Sequence, residues 1–225
     1  MQPRTIAVIG GTGKEGSGLG LRFAHAGHRV LIGSRAPERA RETAAAINAQ
    51  VEGKRAQGAD NLAAAQGSEI VVLTVPYAAQ LETLNAIKPA LAGKILIDVT
   101  VPLMPPQVGR VQLPDGGSAV LNAQKLVGDG VRVVSAFQNV SAEHLGVLGH
   151  AIDCDVLVCG DDPDARAVVI ALAKDAGMRA FHAGPLANSA AAEALTSALI
   201  AINRRYKIKH SGIRITGLPA GAGDA

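Results

Sequence analysis

Residues 5–16 read Thr5-Ile6-Ala7-Val8-Ile9-Gly10-Gly11-Thr12-Gly13-Lys14-Glu15-Gly16. The apolar run up to Ile9 predicts a buried strand, and residues 17–26 predict a helix. Gly11, Gly13 and Gly16 have G-x-G-x-x-G spacing, which between a strand and a helix indicates a dinucleotide site. Gly11, the first of the three, is expected to allow the tight turn, and Gly13 to let a pyrophosphate approach the backbone at the helix N-terminus. The stretch therefore predicts a Rossmann-type βαβ unit.

Strand and helix patterns alternate along the chain. The predicted strands in the first part are 5–9, 30–33, a short strand within the polar connection 54–60, 69–76, 94–99 and 131–137. Six strands with intervening helices favour an α/β fold, a doubly wound parallel sheet of the Rossmann type, over residues 1–137. Residues 138–225 also show α/β patterns, and we expect them to form a smaller C-terminal part or to extend the same sheet. The helix predicted at 188–203 is apolar on more than one face, so we expect it to be buried and to contact a second copy.

The residues after the second strand indicate which dinucleotide is bound. An NAD enzyme usually has Asp or Glu about 20 residues beyond the glycines, where it binds the ribose 2′-hydroxyl. Here the position holds Ser34 and Arg35, with Arg39 one helical turn later. A hydroxyl and two guanidinium groups can bind a 2′-phosphate through charge-assisted hydrogen bonds. The sequence therefore favours NADP over NAD, unless these arginines are simply solvated charges.

Two further strands end in candidate binding residues, since ligands of parallel sheets lie outside the carboxyl ends of the strands. Thr74, Pro76 and Tyr77 follow the fourth strand. Tyr77 is expected either to pack on the dinucleotide or to cap the next helix. Asp98 ends the fifth strand, and a lone acid there more often caps a turn than acts as an acid or base.

Composition limits the classes of function. Apolar residues make up 48% of the chain, aromatic residues 2%, and the net charge is +3. So few aromatic side chains to stack on bases argue against a nucleic-acid partner. No apolar stretch approaches the ~20 residues that a membrane span needs, and no signal peptide is expected. Cys154 and Cys159 are interpreted as small core residues on one strand of a cytoplasmic protein.

Motifs for acid–base or metal chemistry are missing. The sequence has no H-E-x-x-H, no Cys/His cluster and no G-x-S-x-G nucleophile. Tyr206 and Lys207 are adjacent and do not form the Y-x-x-x-K pair of short-chain dehydrogenases, and the six histidines are scattered. We therefore assign no metal and no catalytic side chain. A hydride acceptor that needs no acid or base, such as a flavin-like ring, fits this lack.

Six segments together resemble the NADPH-dependent reductases of coenzyme F420, a deazaflavin. Residues 10–13, 32–35 and 73–76 are shared with other dinucleotide enzymes. Three further segments are specific to this family: Val-Cys-Gly-Asp-Asp at 158–162, Ala-Gly-Pro-Leu-Ala-Asn at 183–188 and Ser-Gly-Ile-Arg-Ile-Thr-Gly at 211–217. The resemblance spans nearly the whole chain. It implies a homodimer in which hydride passes directly between NADPH and the deazaflavin.

The resemblance also implies a set of binding residues. Those for the adenosine phosphates are Thr12, Gly13, Lys14, Glu15, Ser34, Arg35 and Arg39; those for the rest of NADP are Tyr77, Leu81, Val101, Pro102 and Ala142; and those facing the deazaflavin ring are Gln138, Asn139 and Val140. The motifs add Gly11, Gly16, Thr74 and Pro76. Gln138 stands where an archaeal member has His, which leaves the ring contacts open.

A basic cluster near the C-terminus has two interpretations. It consists of Arg204, Arg205, Lys207, Lys209 and Arg214. It would steer the lactyl-phosphate and glutamate tail of the deazaflavin, or it is a solvated basic terminus.

Two other functions compete with the F420 reductase. One is an enzyme that reduces ordinary flavin or a ferric chelate, as in the related membrane metalloreductases. The other is a regulatory protein that binds NADP without turnover. The specific segments at 158–162 and 212–217 favour the F420 reductase.

Overall fold

A continuous eight-stranded sheet forms the centre of the computed structural model, which describes residues 2–218. The strands are β1 (Thr5–Ile9), β2 (Arg29–Ser34), β3 (Ala56–Asp60), β4 (Ile70–Leu73), β5 (Ile95–Asp98), β6 (Arg132–Ser135), β7 (Val156–Gly160) and β8 (Ala180–His182). The helices are α1 (Lys14–His25), α2 (Pro37–Asn48), α3 (Asn61–Gln66), α4 (Gln80–Ile87), α5 (Ala119–Val127), α6 (Ala142–Leu145), α7 (Pro163–Asp175) and α8 (Ser189–Tyr206).

The strand order is β3-β2-β1-β4-β5-β6-β7-β8. The first six strands are parallel, which confirms the predicted doubly wound Rossmann fold. β7 runs antiparallel to β6, and β8 is parallel to β7. The amino end of β7 therefore lies at the edge where β1 to β6 have their carboxyl ends. The sheet continues past residue 137, so the predicted C-terminal part extends it; residues 219–225 of that part lie outside the described residues.

Both faces of the sheet are buried because alternate strand residues point to opposite sides. Ile6 and Val8 of β1 pack with α1, α2 and α7 in one cluster. Ala7 and Ile9 of the same strand pack with α3, α4 and α5 in a second cluster. Helices thus cover both faces and leave the strand ends as the places where loops form a site.

Several elements differ from the predicted bounds. α1 begins at Lys14, directly after the glycines, and β4 ends at Leu73, before Pro76. Cys154 precedes β7 instead of lying on it, and both thiols are buried and free. α8 continues to Tyr206 and is not buried along its length, because its last turns carry charged residues and expose Ile202 (41%) and Tyr206 (70%). The prediction that this helix is buried was therefore wrong.

Arg22 of α1 is a buried cation that binds only main-chain oxygens. Its side chain is 6% exposed. Its guanidinium donates hydrogen bonds of 2.9–3.1 Å to the carbonyl oxygens of His144, Leu145, Val147, His150 and Ala176. Burial lowers the pKa of Arg22, but the carbonyl dipoles replace much of its hydration. One side chain thus fixes the irregular segment after β6 against α1.

The C-terminal segment packs on the amino end of β7. The amide N of Asp155 donates to Ile213 O (2.9 Å), and the buried Asp155 carboxylate accepts from Ile215 N (2.7 Å) and from Arg214 Nη1 (3.1 Å). A Cβ on Gly212 would lie 2.8 Å from Cys154 Cβ, so only glycine allows this approach. The family-specific segment 211–217 therefore covers the amino end of β7, next to the carboxyl ends of the parallel strands.

Candidate functional site

A groove of about 690 Å³ runs along the carboxyl edge of the parallel strands. We call it the main groove. The segments that follow β1 to β6 form it, and α8 contributes one residue, Thr196. The predicted site residues that line it are Thr12, Gly13, Lys14, Glu15, Ser34, Arg35, Arg39, Thr74, Pro76, Tyr77, Val101, Gln138 and Val140.

The glycine motif divides into turn, packing and lining positions. Gly10 has φ +76°, so the left-handed turn residue is Gly10 and not Gly11, where we expected it. A Cβ on Gly11 would lie 2.7 Å from Val8 O, and one on Gly16 would lie 2.7 Å from Gly11 Cα. These two glycines let the helix pack on the strand and do not line the groove. Only Gly13 leaves open space toward the groove, where a Cβ would meet nothing closer than 3.5 Å.

Four other predicted residues lie outside the lining of the main groove. Leu81 is 45% exposed on α4, and Pro102 is buried. Asn139 points away, because its Nδ2 donates to the Asp155 carbonyl (2.9 Å) and to Cys154 Sγ (3.1 Å). Ala142 is the first residue of α6. The structure does not bring these four side chains to the groove.

The start of α1 is suited to binding an anion. Gly13 caps the helix in an extended conformation without a side-chain acceptor, so the first N–H groups of α1 are unsatisfied. These groups and the helix dipole favour negative charge beside Lys14. Burial raises the pKa of the Glu15 carboxyl to about 8, so this carboxyl is largely protonated at neutral pH. A neutral Glu15 removes the repulsion that a carboxylate would exert on a phosphate.

The end of β2 presents cations and a hydroxyl. Ser34 Oγ accepts from Ala36 N at 3.2 Å, which closes the turn into α2. Arg35 and Arg39 are exposed, and within residues 2–218 neither pairs with a carboxylate. Glu15 is the one acidic residue that we find in the described lining. This end of the groove therefore matches a 2′-phosphate better than a bare ribose.

The opposite end of the groove is fixed by a network around Asp98. The buried Asp98 carboxylate accepts from Thr100 N (2.9 Å) and from Gln80 Nε2 (2.6 Å). Burial raises the pKa of this carboxyl, and the Thr100 and Gln80 hydrogen bonds oppose the rise. Asp98 thus holds a turn, as we expected, and does not line the groove. Gln138 Nε2 donates to Asp98 O (2.8 Å), and Thr196 Oγ1 donates to Gln138 O (2.8 Å).

Ten lining residues were missed by sequence reasoning: Gly10, Ala36, Asn61, Val75, Ala79, Thr83, Val99, Thr100, Leu103 and Thr196. Asn61 follows β3 and could have been found from its place at a strand end. Thr196 could not, because it reaches the groove from a helix far along the chain. Asn61 Oδ1 and Gln138 Oε1, one at each end of the groove, are buried without a hydrogen-bond partner among the described residues.

The histidines are less scattered than the sequence suggested. The ring of His144 lies 4.2 Å from that of His150 and 4.2 Å from that of His210. His210 also pairs with Glu143 (3.2 Å) and contacts Ser141 Oγ (2.7 Å). Burial and the neighbouring histidines lower the pKa of His144. Within residues 2–218 no group of His, Cys, Asp and Glu side chains is arranged to hold a metal ion.

In the part of the chain that the structure describes, no helix is both long and apolar enough to cross a bilayer.

Comparisons with known proteins place the chain in one family. Residues 5–102 match the family described as NADP oxidoreductase, coenzyme F420-dependent. The F420-dependent NADP reductase of Methanothermobacter marburgensis is 42% identical over 95% of this chain and 99% of its own length. That of Methanocaldococcus jannaschii is 40% identical over 95% of this chain and 98% of its own. A crystal structure of a candidate F420-dependent NADP reductase from Arthrobacter sp. FB24 superimposes with a TM-score of 0.78 at 27% identity, covering 94% of this chain and 98% of that one.

Proposed function

This chain belongs to the family of coenzyme F420-dependent NADP oxidoreductases, and we propose that it transfers a hydride between NADPH and coenzyme F420 in the main groove. The observation that carries the proposal is the match of nearly the whole chain to reductases of that name. The groove agrees with it, since one end suits the phosphates of NADP and the other end is largely apolar.

The adenosine end of NADP lies, in this proposal, against the loop after β2. Arg35 and Arg39 are uncompensated by acidic residues there and bind the 2′-phosphate, with the Ser34 hydroxyl at their side. The pyrophosphate lies over Gly13, where the free N–H groups of α1 donate to it. Asn61 Oδ1 accepts from a hydroxyl or amino group of the adenosine. The Asn61 oxygen and the first N–H groups of α1 have no partner in the described residues, and Arg35 and Arg39 make no ion pair there.

The nicotinamide and the deazaflavin ring lie together at the end near Gln138. Val101, Leu103 and Val140 line this end and exclude water from the ring faces. Hydride passes between C4 of the nicotinamide and C5 of the deazaflavin, and the coenzymes supply that chemistry. The protein contributes orientation, which alone can supply several kcal/mol of the barrier reduction. The Asp98 network keeps the turns after β5 and β6 in place for this purpose.

Three further features belong to the proposal. We assign residues 1–137 to NADP binding and 138–225 to deazaflavin binding and dimerisation. The exposed Ile202 and Tyr206 on α8 support a homodimer, because large apolar groups in water favour a partner surface. Light scattering on the purified protein tests the dimer, and a mass of one chain would contradict it.

The buried free thiols of Cys154 and Cys159 support a reducing compartment such as the cytoplasm.

A chromophore assay tests the function. The protein is mixed with NADPH and either coenzyme F420 or FMN, and the absorbance of each ring is followed. We expect the deazaflavin to bleach and FMN to remain oxidised. Bleaching of FMN alone would support the flavin reductase instead, and bleaching of neither would support an NADP-binding regulator.

A further inference from the structure

Two small cavities lie beside the loop after β6, next to the end of the main groove near Gln138, which we call the ring end. The first, the polar passage, has a volume of about 150 Å³ and shares Gln138, Val140 and Thr196 with the lining of the main groove. The second, the histidine pocket, has a volume of about 250 Å³ and is lined by the three neighbouring histidines. Four residues line both small cavities: Asn139, Ser141, His210 and Ser211. The passage therefore lies between the ring end and the histidines.

The polar passage contains two acceptors that no described protein group uses. Gln138 Oε1 and Asn139 Oδ1 are buried, and neither has a hydrogen-bond partner within residues 2–218. Buried amide oxygens in native proteins almost always accept a hydrogen bond, either from the protein or from ordered water. A volume of about 150 Å³ has room for a few water molecules at ~30 Å³ each. The passage is therefore suited to a short chain of water.

His210 lies where the polar passage and the histidine pocket meet. Its Nδ1 atom is 2.7 Å from Ser141 Oγ, and its Nε2 atom is 3.2 Å from Glu143 Oε2. The Glu143 carboxylate pairs with the ring when the ring is protonated. The Ser141 hydroxyl both donates and accepts, so it can pass a proton on. Because the His210 side chain is 23% exposed, it can also take up a proton from solvent.

Other charged and titratable groups surround His210. The His144 ring lies 4.2 Å from the rings of His210 and His150. Burial, and after it the charges of the neighbouring histidines, lower the pKa of His144, so this ring stays neutral at neutral pH. Glu143 also pairs with Lys14 of α1 (3.6 Å). The remaining groups near the pocket are Arg22, Asp153, Cys154, Lys209 and Arg214.

α8 contributes no charged side chain to the described lining of the passage. Of the three histidines, His210 alone lines the passage as well as the pocket. It is therefore the histidine that can exchange a proton with water in the passage.

The proposed reaction needs a proton as well as a hydride. Hydride transfer breaks the C4–H bond of NADPH and forms a C5–H bond, which oxidises the nicotinamide and reduces the deazaflavin. Both electrons move with the hydride, so the balance requires one further proton, which joins the ring nitrogen N1. The residues that line the ring end carry no titratable group: Val101, Leu103, Gln138, Val140 and Thr196. The proton must therefore come from farther away.

We infer that His210 supplies this proton to the ring end through Ser141 and water in the polar passage, with Gln138 Oε1 accepting from the last water. The inference rests on the proposed function and adds the path of the proton to it. Histidine is the side chain that most often donates protons in enzymes, directly or through water. The exposed edge of His210 takes up the next proton from solvent. The same path carries the proton outward when the reaction runs in reverse.

A pH jump without hydride transfer tests the path. The protein is saturated with reduced coenzyme F420 in the absence of NADP, a photoacid lowers the pH, and absorbance follows protonation of the ring. In His210→Gln and in Ser141→Ala we expect protonation to be about tenfold slower than in the unmodified protein. Glutamine keeps hydrogen bonds but cannot carry a proton, so added imidazole, a small diffusible acid, should restore the rate in His210→Gln. The control His25→Gln changes an exposed histidine at the end of α1 and should leave the rate the same.

The outcomes separate this inference from the proposed function. An unchanged protonation rate in His210→Gln overturns the proton path. A slower rate that imidazole does not restore also overturns it, because the variant would then have a damaged site and not a missing acid.

Hydride transfer is measured separately, with the unmodified protein, reduced F420 and NADP. If no hydride moves although protonation of the bound ring depends on His210, the proposed function is overturned and the proton path remains. If reduced F420 does not bind at all, both are overturned.

Discussion

The Nε2 atom of Gln138 donates a 2.8 Å hydrogen bond to the main-chain oxygen of Asp98, 40 residues earlier in the chain. This bond joins the carboxyl ends of β5 and β6 at the ring end of the main groove. The Oε1 atom of the same amide has no hydrogen-bond partner within residues 2–218. Gln138 therefore both stabilises the groove and presents an acceptor at its wall.

Replacing Gln138 by Met should weaken F420 binding about tenfold, because a buried hydrogen bond that aligns the two turns is lost. The NADP Kd should change less, since the phosphate sites are at the other end of the groove. Gln124→Met is the matched control: its amide ties α5 to the carbonyls of Gly128 and Val131, outside the groove. Fluorescence titration with F420 measures both variants, and equal losses would contradict a role at the ring end.

Arg35→Gln should raise the Kd of NADPH by about 10- to 100-fold, because one charge-assisted contact to the 2′-phosphate is lost. The Kd of NADH should hardly change, since NADH lacks that phosphate. Arg41→Gln is the control on the same helix, because Arg41 pairs with Glu38 (3.2 Å) and does not line the groove. If Arg35→Gln raised the Kd of NADPH and of NADH by the same factor, Arg35 would not bind the 2′-phosphate.

Binding of NADP should weaken as the pH rises through about 8. Burial raises the pKa of Glu15 to about 8, so the carboxyl is neutral below that pH and becomes negative above it, beside the pyrophosphate site. The 2′-phosphate ionises near pH 6 and does not interfere above pH 7. We expect a Kd about tenfold higher at pH 9 than at pH 7, and a flat profile in Glu15→Gln. Calorimetric titration measures it; an identical slope in the variant would assign the effect to another group.

Arg22→Met should lower the free energy of unfolding by about 3 kcal/mol or more, because five carbonyl oxygens lose a charged donor. The methionine fills part of the volume, so the loss reports mainly the hydrogen bonds. The exposed Arg132→Met is the control, with an expected change within about 0.5 kcal/mol. Urea unfolding gives both values, and similar values would mean that water satisfies these carbonyls without Arg22.

Local patterns were sufficient to predict the fold. The apolar runs and the glycine turn predicted the six parallel strands, and this prediction is confirmed. It holds because strand, turn and helix lie within about 35 residues of each other and depend on short-range chemistry. The predicted residues after β1 and β2 line one end of the groove, and their phosphate-binding role stays a prediction. The turn residue itself was placed one position late, because Gly10 and Gly11 are both glycine and only the backbone dihedral distinguishes them.

The ring end of the groove could not be predicted in the same way. Thr196 reaches this end only through long-range packing, from a helix about 60 residues after Gln138. The family-specific segments 158–162 and 183–188 have structural roles. Asp162 caps α7 by accepting from Ala165 N, and Asp161 of the first segment accepts from Leu186 N of the second. The third segment, 211–217, packs on the amino end of β7, and none of the three lines the main groove. The residues that carry the resemblance to the family therefore maintain the scaffold.

Deuterium transfer tests direct hydride transfer to F420 most directly. NADPH labelled with deuterium at the transferred position of C4 is incubated with the protein and F420, and the reduced deazaflavin is examined by mass spectrometry. The account predicts deuterium retained at C5, since a hydride that moves between stacked rings never meets water and a carbon-bound label does not exchange. Reduced deazaflavin without deuterium from either face of C4, or no reduction at all, would contradict direct transfer between the two coenzymes.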